Sequence, residues 1–390
     1  MYGGRRPGEY CGRRSGVLSS AKIGTSSWRY YTAGVACAAT EYYLGREAPG
    51  RWHGRGLAAL GLEPGSVVDE AQLEALFARA LNPSTGQRLG RAWRTDGVTG
   101  FDLTFSAPKS VSSLWALGNR DIASAAMAAH RSAVKAGLAY LDTHVALSRR
   151  GTDGTEQVAT DGLTAALFDH RSSRCGDPQL HTHALVVNKV RCADGVWRTI
   201  DATELFHHKK SAGMIYQAAL RTEMHERLGV TFEVLNEHGQ AEIVGVPSGL
   251  LTLWSKRTAA IAADASPKIA EYEKALARTL TPAERVAVVK TAVLKTRRSK
   301  DHPALSVLHE RWRGEATTAG FTADRVLSLA RVGAGAARLP GQRSPGQRMA
   351  AQRVAGEHVA GPRARGLGER ELLVRVVAAA GRARATFSRA

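Results

Sequence analysis

Two histidines one residue apart, His181 and His183, sit in an apolar run that reads as a β-strand. Alternation along a strand sends both imidazoles to the same face. His170 closes the preceding strand-like segment, so an antiparallel pairing would carry its ring alongside theirs. Three imidazoles on rigid strands, with no fourth protein ligand evident, suit a metal site that keeps one position for water or substrate. Strand histidines that merely hydrogen-bond would show the same spacing. Asp102 lies in GFDLTFS, a further strand-like segment. A carboxylate there could fix the tautomer of a ligating histidine or accept a proton from a nucleophile, and a solvated strand aspartate is the plainer alternative. Arg174, in the polar loop between the two histidine-bearing segments, carries the planar fork that clamps phosphate, although a loop arginine is often simply solvated.

Tyrosine supplies the remaining chemistry, in the pairs Tyr30-Tyr31 and Tyr42-Tyr43. A phenol titrates near 10 and needs a base or a cation before it attacks. Attack on a phosphodiester exchanges one phosphodiester for another and is therefore reversible, and a divalent metal on the non-bridging oxygens would stabilise the charge. Tyrosine pairs around an Ala-rich stretch also suit amphipathic packing. Residue type alone does not join them to the histidines.

The elements that must position these groups follow from periodicity. Ser26 or Ser27 caps a helix running towards Tyr43, and a Gly/Pro-rich connection (residues 48–61) leads to a short helix over 68–80. Residues 100–106 form a strand, and Pro108 opens the helix after it. The longest helical pattern covers 121–147, with Ile122, Met127, Val134, Leu138, Leu141 and Val145 on one side. The centre is β: strands over 162–170 and 179–190, then an Asp194-Gly195 turn into 196–201. A helix over 203–228, a hairpin over 231–243 turning near His238-Gly239, and helices from 247 to about 329 complete the pattern. Helices and antiparallel strands segregate, which defines an α+β class with an antiparallel central sheet.

The charge balance narrows the partner. Across 390 residues, 54 Lys+Arg against 35 Asp+Glu leave +19, which favours a polyanion. Residues 331–390 hold twelve Arg, no Lys and three Glu, and residues 1–16 hold four Arg and one Glu, so the part between them keeps +7. The Arg/Gly/Pro-rich tail lacks the apolar content to fold and reads as disordered. No run approaches the ~18 apolar residues of a membrane span, so membrane insertion is not expected. Four cysteines without CxxC spacing (Cys11, Cys37, Cys175 and Cys192) point to a reducing, cytoplasmic setting.

Five strings in order, WRYY…EYY (28–43), RWHGRGLAALGL (51–62), GFDLTFSAPKSVS (100–112), FDHRSSRCGDPQLHTHALVVNKV (168–190) and GVP…SKR (245–257), resemble the relaxase domain of MobF-class conjugative relaxases, the TrwC family. The resemblance implies a palm-like sheet flanked by helices, the fold of HUH endonucleases. It implies a metal-dependent enzyme that nicks one DNA strand at a transfer origin, working on single-stranded and hairpin DNA. His170, His181 and His183 take the metal-ligand positions, for magnesium, manganese or zinc. Tyr30 takes the nucleophile position, with Tyr31 as its neighbour, giving a 5′-phosphotyrosine and a 3′-OH. Tyr42 matches the second tyrosine, and Asp102 matches the acid that orients a metal-site histidine. Arg174 and Lys256 resemble phosphate-contacting positions, and Lys109 and Arg257 lie in the same motifs. Accessory relaxosome proteins and a coupling protein are implied partners.

Three departures accompany the likeness. The Tyr30–Tyr42 spacing is long for the family, which leaves Tyr42 and Tyr43 both open as second nucleophile. No GxxxxGK[ST] string occurs, so the helicase that usually follows is not expected. Val17-Leu18-Ser19 stands where such chains begin Met-Leu-Ser, so residues 1–16 read as upstream sequence, 17–325 as the relaxase domain and 326–390 as a truncated or frameshifted remnant. A rolling-circle replication initiator and an inactive origin-binding relic are the alternative functions. A small-molecule metallohydrolase would leave the charge and the tyrosines unexplained.

Overall fold

A computed structural model describes residues 18–25, 28, 48–236, 239–297 and 304–330. At its centre is a five-stranded antiparallel sheet built from β1 (Leu18–Ile23), β2 (Arg51–His53), β3 (Gly100–Ser106), β6 (Ala165–Ser172) and β7 (Pro178–Val187), in the order β1-β3-β7-β6-β2. Two small ribbons pair β4 (Leu147–Arg150) with β5 (Glu156–Ala159) and β8 (Val190–Arg191) with β9 (Trp197–Arg198). The helices are α1 (Glu70–Leu73), α2 (Lys109–Leu117), α3 (Arg120–His144), α4 (Ala202–Leu228), α5 (Ser248–Leu253), α6 (Lys256–Leu276), α7 (Pro282–Lys295), α8 (Leu305–Thr318) and α9 (Ala323–Leu327).

Alternation in β7 divides the core in two. Leu180, Ala184 and Val186 join Phe101, Leu103 and Phe105 of β3 in a large apolar cluster with the inner sides of α3 and α4. Leu185 and Val187 join Ala166, Phe168, Trp28, Trp52, Leu57 and Phe77 in a second cluster over the other face. Asn119 caps α3 by accepting from the Ile122 amide at 3.0 Å, and Asp201 caps α4. Gly229 ends α4 in the left-handed conformation that favours glycine. Gly137 lets α3 lie close to the sheet, because a Cβ there would stand 2.7 Å from the Phe105 ring.

Most of the expected elements form, with three corrections. The long helix stops at His144 and Leu147 begins a strand, because residues 147–150 pair with 156–159. Expected strand 196–201 keeps only Trp197–Arg198, since Asp201 is committed to capping α4. The hairpin expected over 231–243 forms, with a bridge from Phe232 to Ile243 and amide bonds from Glu233 to the Glu242 carbonyl and from Val244 to the Thr231 carbonyl, both 2.9 Å, residues 237–238 lying outside the described set. Strands β1 and β2, at one edge and the other, carried no clear alternation and were not expected. The helix expected towards Tyr43, the N-terminal residues 1–16 and the tail from 331 onward lie outside the described residues.

Candidate metal centre

Register builds the site. In the β6–β7 pair His170 lies directly opposite His181, and Phe168 opposite His183. The rings converge, with centroids 5.1 Å (His170–His181), 4.9 Å (His170–His183) and 5.2 Å (His181–His183) apart. One nitrogen from each lies within 4.8 Å of the others, the only such group of three among the described residues. The register shifts between His170 and Ser172, which lies opposite Pro178, the kind of bulge that re-aims side chains beside a site.

Neighbouring acceptors fix the rings. Asp102 sits on β3 opposite Leu185, so His183 is its diagonal neighbour, a separation long side chains bridge. Both carboxylate oxygens lie 2.9 Å from His183 Nδ1, and Asp102 is buried, 6% exposed. Thr104 adds its hydroxyl, 3.2 Å from the same nitrogen and 3.3 Å from Asp102 Oδ1. His181 Nδ1 donates to the Gln179 carbonyl at 2.9 Å. With Nδ1 engaged behind each ring, Nε2 is the ligating nitrogen of both, the arrangement seen when a carboxylate or carbonyl orients a metal-bound histidine. Three neutral imidazoles with one backed by a carboxylate fit a divalent ion of the transition series.

The expected phosphate-contacting cations sit in different settings. Arg174 stands in the turn joining β6 to β7, which Ser173 holds by accepting from the Cys175 and Asp177 amides and Gly176 closes at φ +73°. Lys109 opens α2 and donates to the Pro178 carbonyl (2.9 Å) and Gln179 Oε1 (2.7 Å), tying the start of β7 to the end of β3. Burial lowers its ammonium to about 8, against the pull of Asp177 and Glu242. Lys256 meets Glu315 at 2.8 Å, and its amide donates to Asp177 at 3.0 Å. Burial raises the Asp177 carboxyl despite Lys109 and Lys256. Arg257 closes the end of α7 through the Thr296 and Val293 carbonyls, at 2.6 and 2.7 Å. Tyr30, Tyr31 and Tyr42 lie outside the described residues.

Sequence reasoning missed two supports. Trp312 of α8 donates to the Gly176 carbonyl at 2.8 Å and packs on Trp115, so a late helix clamps the turn beside the histidines. Behind the sheet, His130 and Tyr216 hydrogen-bond towards Thr182. The signal for His130 was its place on the apolar stripe between Met127 and Val134, where a buried polar group requires partners.

Fold and site together define an α+β protein with three histidines, placed so that they could hold a metal ion, on one face of an antiparallel sheet. The model of the TrwC relaxase family matches residues 25–319, and the chain belongs to that family. It is 32% identical over 318 residues to the multifunctional conjugation protein TraI of Escherichia coli, covering 78% of this chain and 16% of that one. The chain thus spans about a sixth of the length of the curated relatives it matches. The conjugative relaxase TrwC bound to oriT DNA is similar in copper-bound form (26% identity) and in metal-bound form (27% identity). Both give a TM-score of 0.63 and cover 78% of this chain and 99% of theirs.

Proposed function

We propose that this chain nicks one strand of DNA at a conjugative transfer origin and holds the cut strand by a tyrosyl ester. The observation that carries the reading is the three-imidazole cluster, drawn from one β-hairpin and backed by Asp102 at 2.9 Å. Similarity to TrwC structures solved with oriT DNA, one of them with a recognition hairpin and cleavage site, supports the choice of substrate.

His170, His181 and His183 would hold the divalent ion, whose chemistry is to neutralise charge on the scissile phosphate. Asp102 keeps His183 in one tautomer and one orientation, so the ligand set is fixed before DNA arrives. Tyr30 is the proposed nucleophile. Its phenolic oxygen bonds to phosphorus as the P–O3′ bond breaks, the phenolic proton is lost, and the departing 3′ oxygen takes up a proton. The products are a 5′-phosphotyrosine and a 3′-OH, and the reverse step rejoins the strand. Trp28, two residues before Tyr30, packs in the apolar cluster that includes Phe168 and Leu185, residues interleaved with the histidines on that face. Tyr31 is the alternative nucleophile, and Tyr42 is assigned the second transfer. Arg174, Lys109, Lys256 and Arg257 are the proposed phosphate contacts.

No helix among the described residues is long and apolar enough to cross a membrane, and Cys175 and Cys192 are thiols. Membership of the TrwC relaxase family supports action in the cytoplasm, with accessory proteins at the origin as proposed partners.

The test is cleavage of labelled single-stranded oligonucleotides spanning the cognate origin, with Mn²⁺ or with EDTA. The expected result is one cut, on one strand, ending in a 3′-OH and dependent on Mn²⁺. Cuts at many positions, or equal cutting in EDTA, would contradict the reading.

A further inference from the structure

The reverse face of the strand pair that carries the histidines is polar where it would be expected to be greasy. Asp169 and Thr182 are register partners there, one between Phe168 and His170, the other between His181 and His183. Thr182 Oγ1 donates to Asp169 Oδ1 at 2.6 Å, and Arg131 Nε donates to Asp169 Oδ2 at 2.7 Å. His130 Nε2 lies 2.8 Å from Thr182 Oγ1, and the Tyr216 hydroxyl lies 2.8 Å from His130 Nδ1. Thr182 is 1% exposed, and His130 and Tyr216 are 0% exposed.

Proton counting gives this chain a single sense. A threonine hydroxyl has one proton, and Thr182 gives it to Asp169, so His130 must donate from Nε2. The neutral ring then accepts at Nδ1, and Tyr216 donates to it. Tyr216 of α4 reaches His130 of α3, which reaches β7, which reaches β6, and Arg131 of α3 closes on the same carboxylate.

Burying these groups is costly unless each one is satisfied, and an apolar pair at 169 and 182 would join sheet to helices without that cost. What an apolar pair would not supply is direction. Dispersion contacts tolerate small slides and rotations, whereas a hydrogen-bonded chain of fixed polarity does not. The Asp169–Thr182 step lies between the His170–His181 and Phe168–His183 steps, so a twist there re-aims all three ligands.

We infer that the Tyr216–His130–Thr182–Asp169 chain, closed by Arg131, positions the metal-binding histidines from the opposite face of the sheet. None of its members touches DNA or metal in this role. They act through the backbone of β6 and β7. The inference rests on the metal reading of the triad.

The test is Mn²⁺ affinity of the full chain by titration calorimetry, with melting curves alongside. Thr182→Val removes the bridging hydroxyl and keeps the β-branched shape, while Thr182→Ser keeps the hydroxyl. Thr182→Val should bind Mn²⁺ roughly tenfold more weakly, the low end of the range for residues that orient metal ligands, and Thr182→Ser should bind as wild type does. Wild-type Mn²⁺ affinity in a folded Thr182→Val protein would overturn the inference, whatever its melting temperature. If Thr182→Val does not fold, Tyr216→Phe decides, because it removes one hydroxyl from the far end. Unchanged Mn²⁺ affinity there overturns the inference, and weakened affinity sustains it. His181→Ala separates the two levels: wild type that binds no Mn²⁺, or binds it as His181→Ala does, sinks the triad reading and this inference together.

Discussion

His183 Nδ1 is held 2.9 Å from both carboxylate oxygens of Asp102, which lies on the neighbouring strand one diagonal step away. The carboxylate is a shared acceptor for one N–H, and Thr104 supports it from the same strand. The geometry leaves Asp102 facing away from the ligand nitrogens, so its influence passes through the imidazole.

Asp102→Ala therefore should weaken Mn²⁺ binding about 10- to 100-fold, the range for outer partners of metal ligands. Asp102→Asn keeps an acceptor without the charge and should fall between. Calorimetric titration of both variants checks the order. Equal affinity in all three proteins would remove Asp102 from the site.

Acid sensitivity follows from His130. Burial lowers this imidazole to about 4, with Arg131 pushing the same way and Asp169 opposing. An unfolded histidine titrates near 6.5, so between these values the unfolded chain binds the extra proton. Stability is then complete above about 6.5 and declines as pH falls towards 4, by roughly 3 kcal/mol from this group. Urea unfolding of wild type and His130→Gln at pH 7.5 and 4.5 checks it. The variant should be less stable at the higher pH and lose less on acidification.

Trp312 joins α8 to the turn beside the triad, by packing on Trp115 and by donating to the Gly176 carbonyl. Trp312→Phe keeps most of the packing and loses one hydrogen bond, about 1 kcal/mol. Trp312→Ala opens a cavity in a fully buried position and should cost about 3–5 kcal/mol. Chemical denaturation of both measures the difference, and equal losses would mean that the packing contributes little.

The charge of the tail gives a further expectation. Residues 331–390 contribute nine of the nineteen net charges. A chain ending at residue 330 should bind nonspecific duplex more weakly at low salt and show a shallower salt dependence, because fewer counterions are released. Fluorescence anisotropy across a salt series reads the slope. An unchanged slope would place the electrostatic contact within residues 1–330.

The triad was legible because strand alternation, a residue spacing of two and one antiparallel turn determine where His170, His181 and His183 point. Asp102 was legible as a candidate by the same alternation, but its pairing with His183 needed the register between β3 and β7. Lys109 and Lys256 read as phosphate contacts in sequence, and the protein partners they also hold, Pro178, Gln179, Asp177 and Glu315, have no local signal there. Strands β1 and β2 were missed because edge strands show weak alternation and owe their structure to partners distant in sequence. The His130–Thr182 contact joins residues 52 positions apart and has no local pattern of its own.

The central claim is a tyrosyl ester formed beside a histidine-held metal. The direct measurement is mass spectrometry of the covalent protein–DNA product, from origin single strand and Mn²⁺, with Tyr30→Phe and His181→Ala in parallel. The account predicts one adduct, on Tyr30, that is absent in both variants. An adduct that persists in His181→Ala, or no adduct with wild type despite binding of the same DNA, would contradict it.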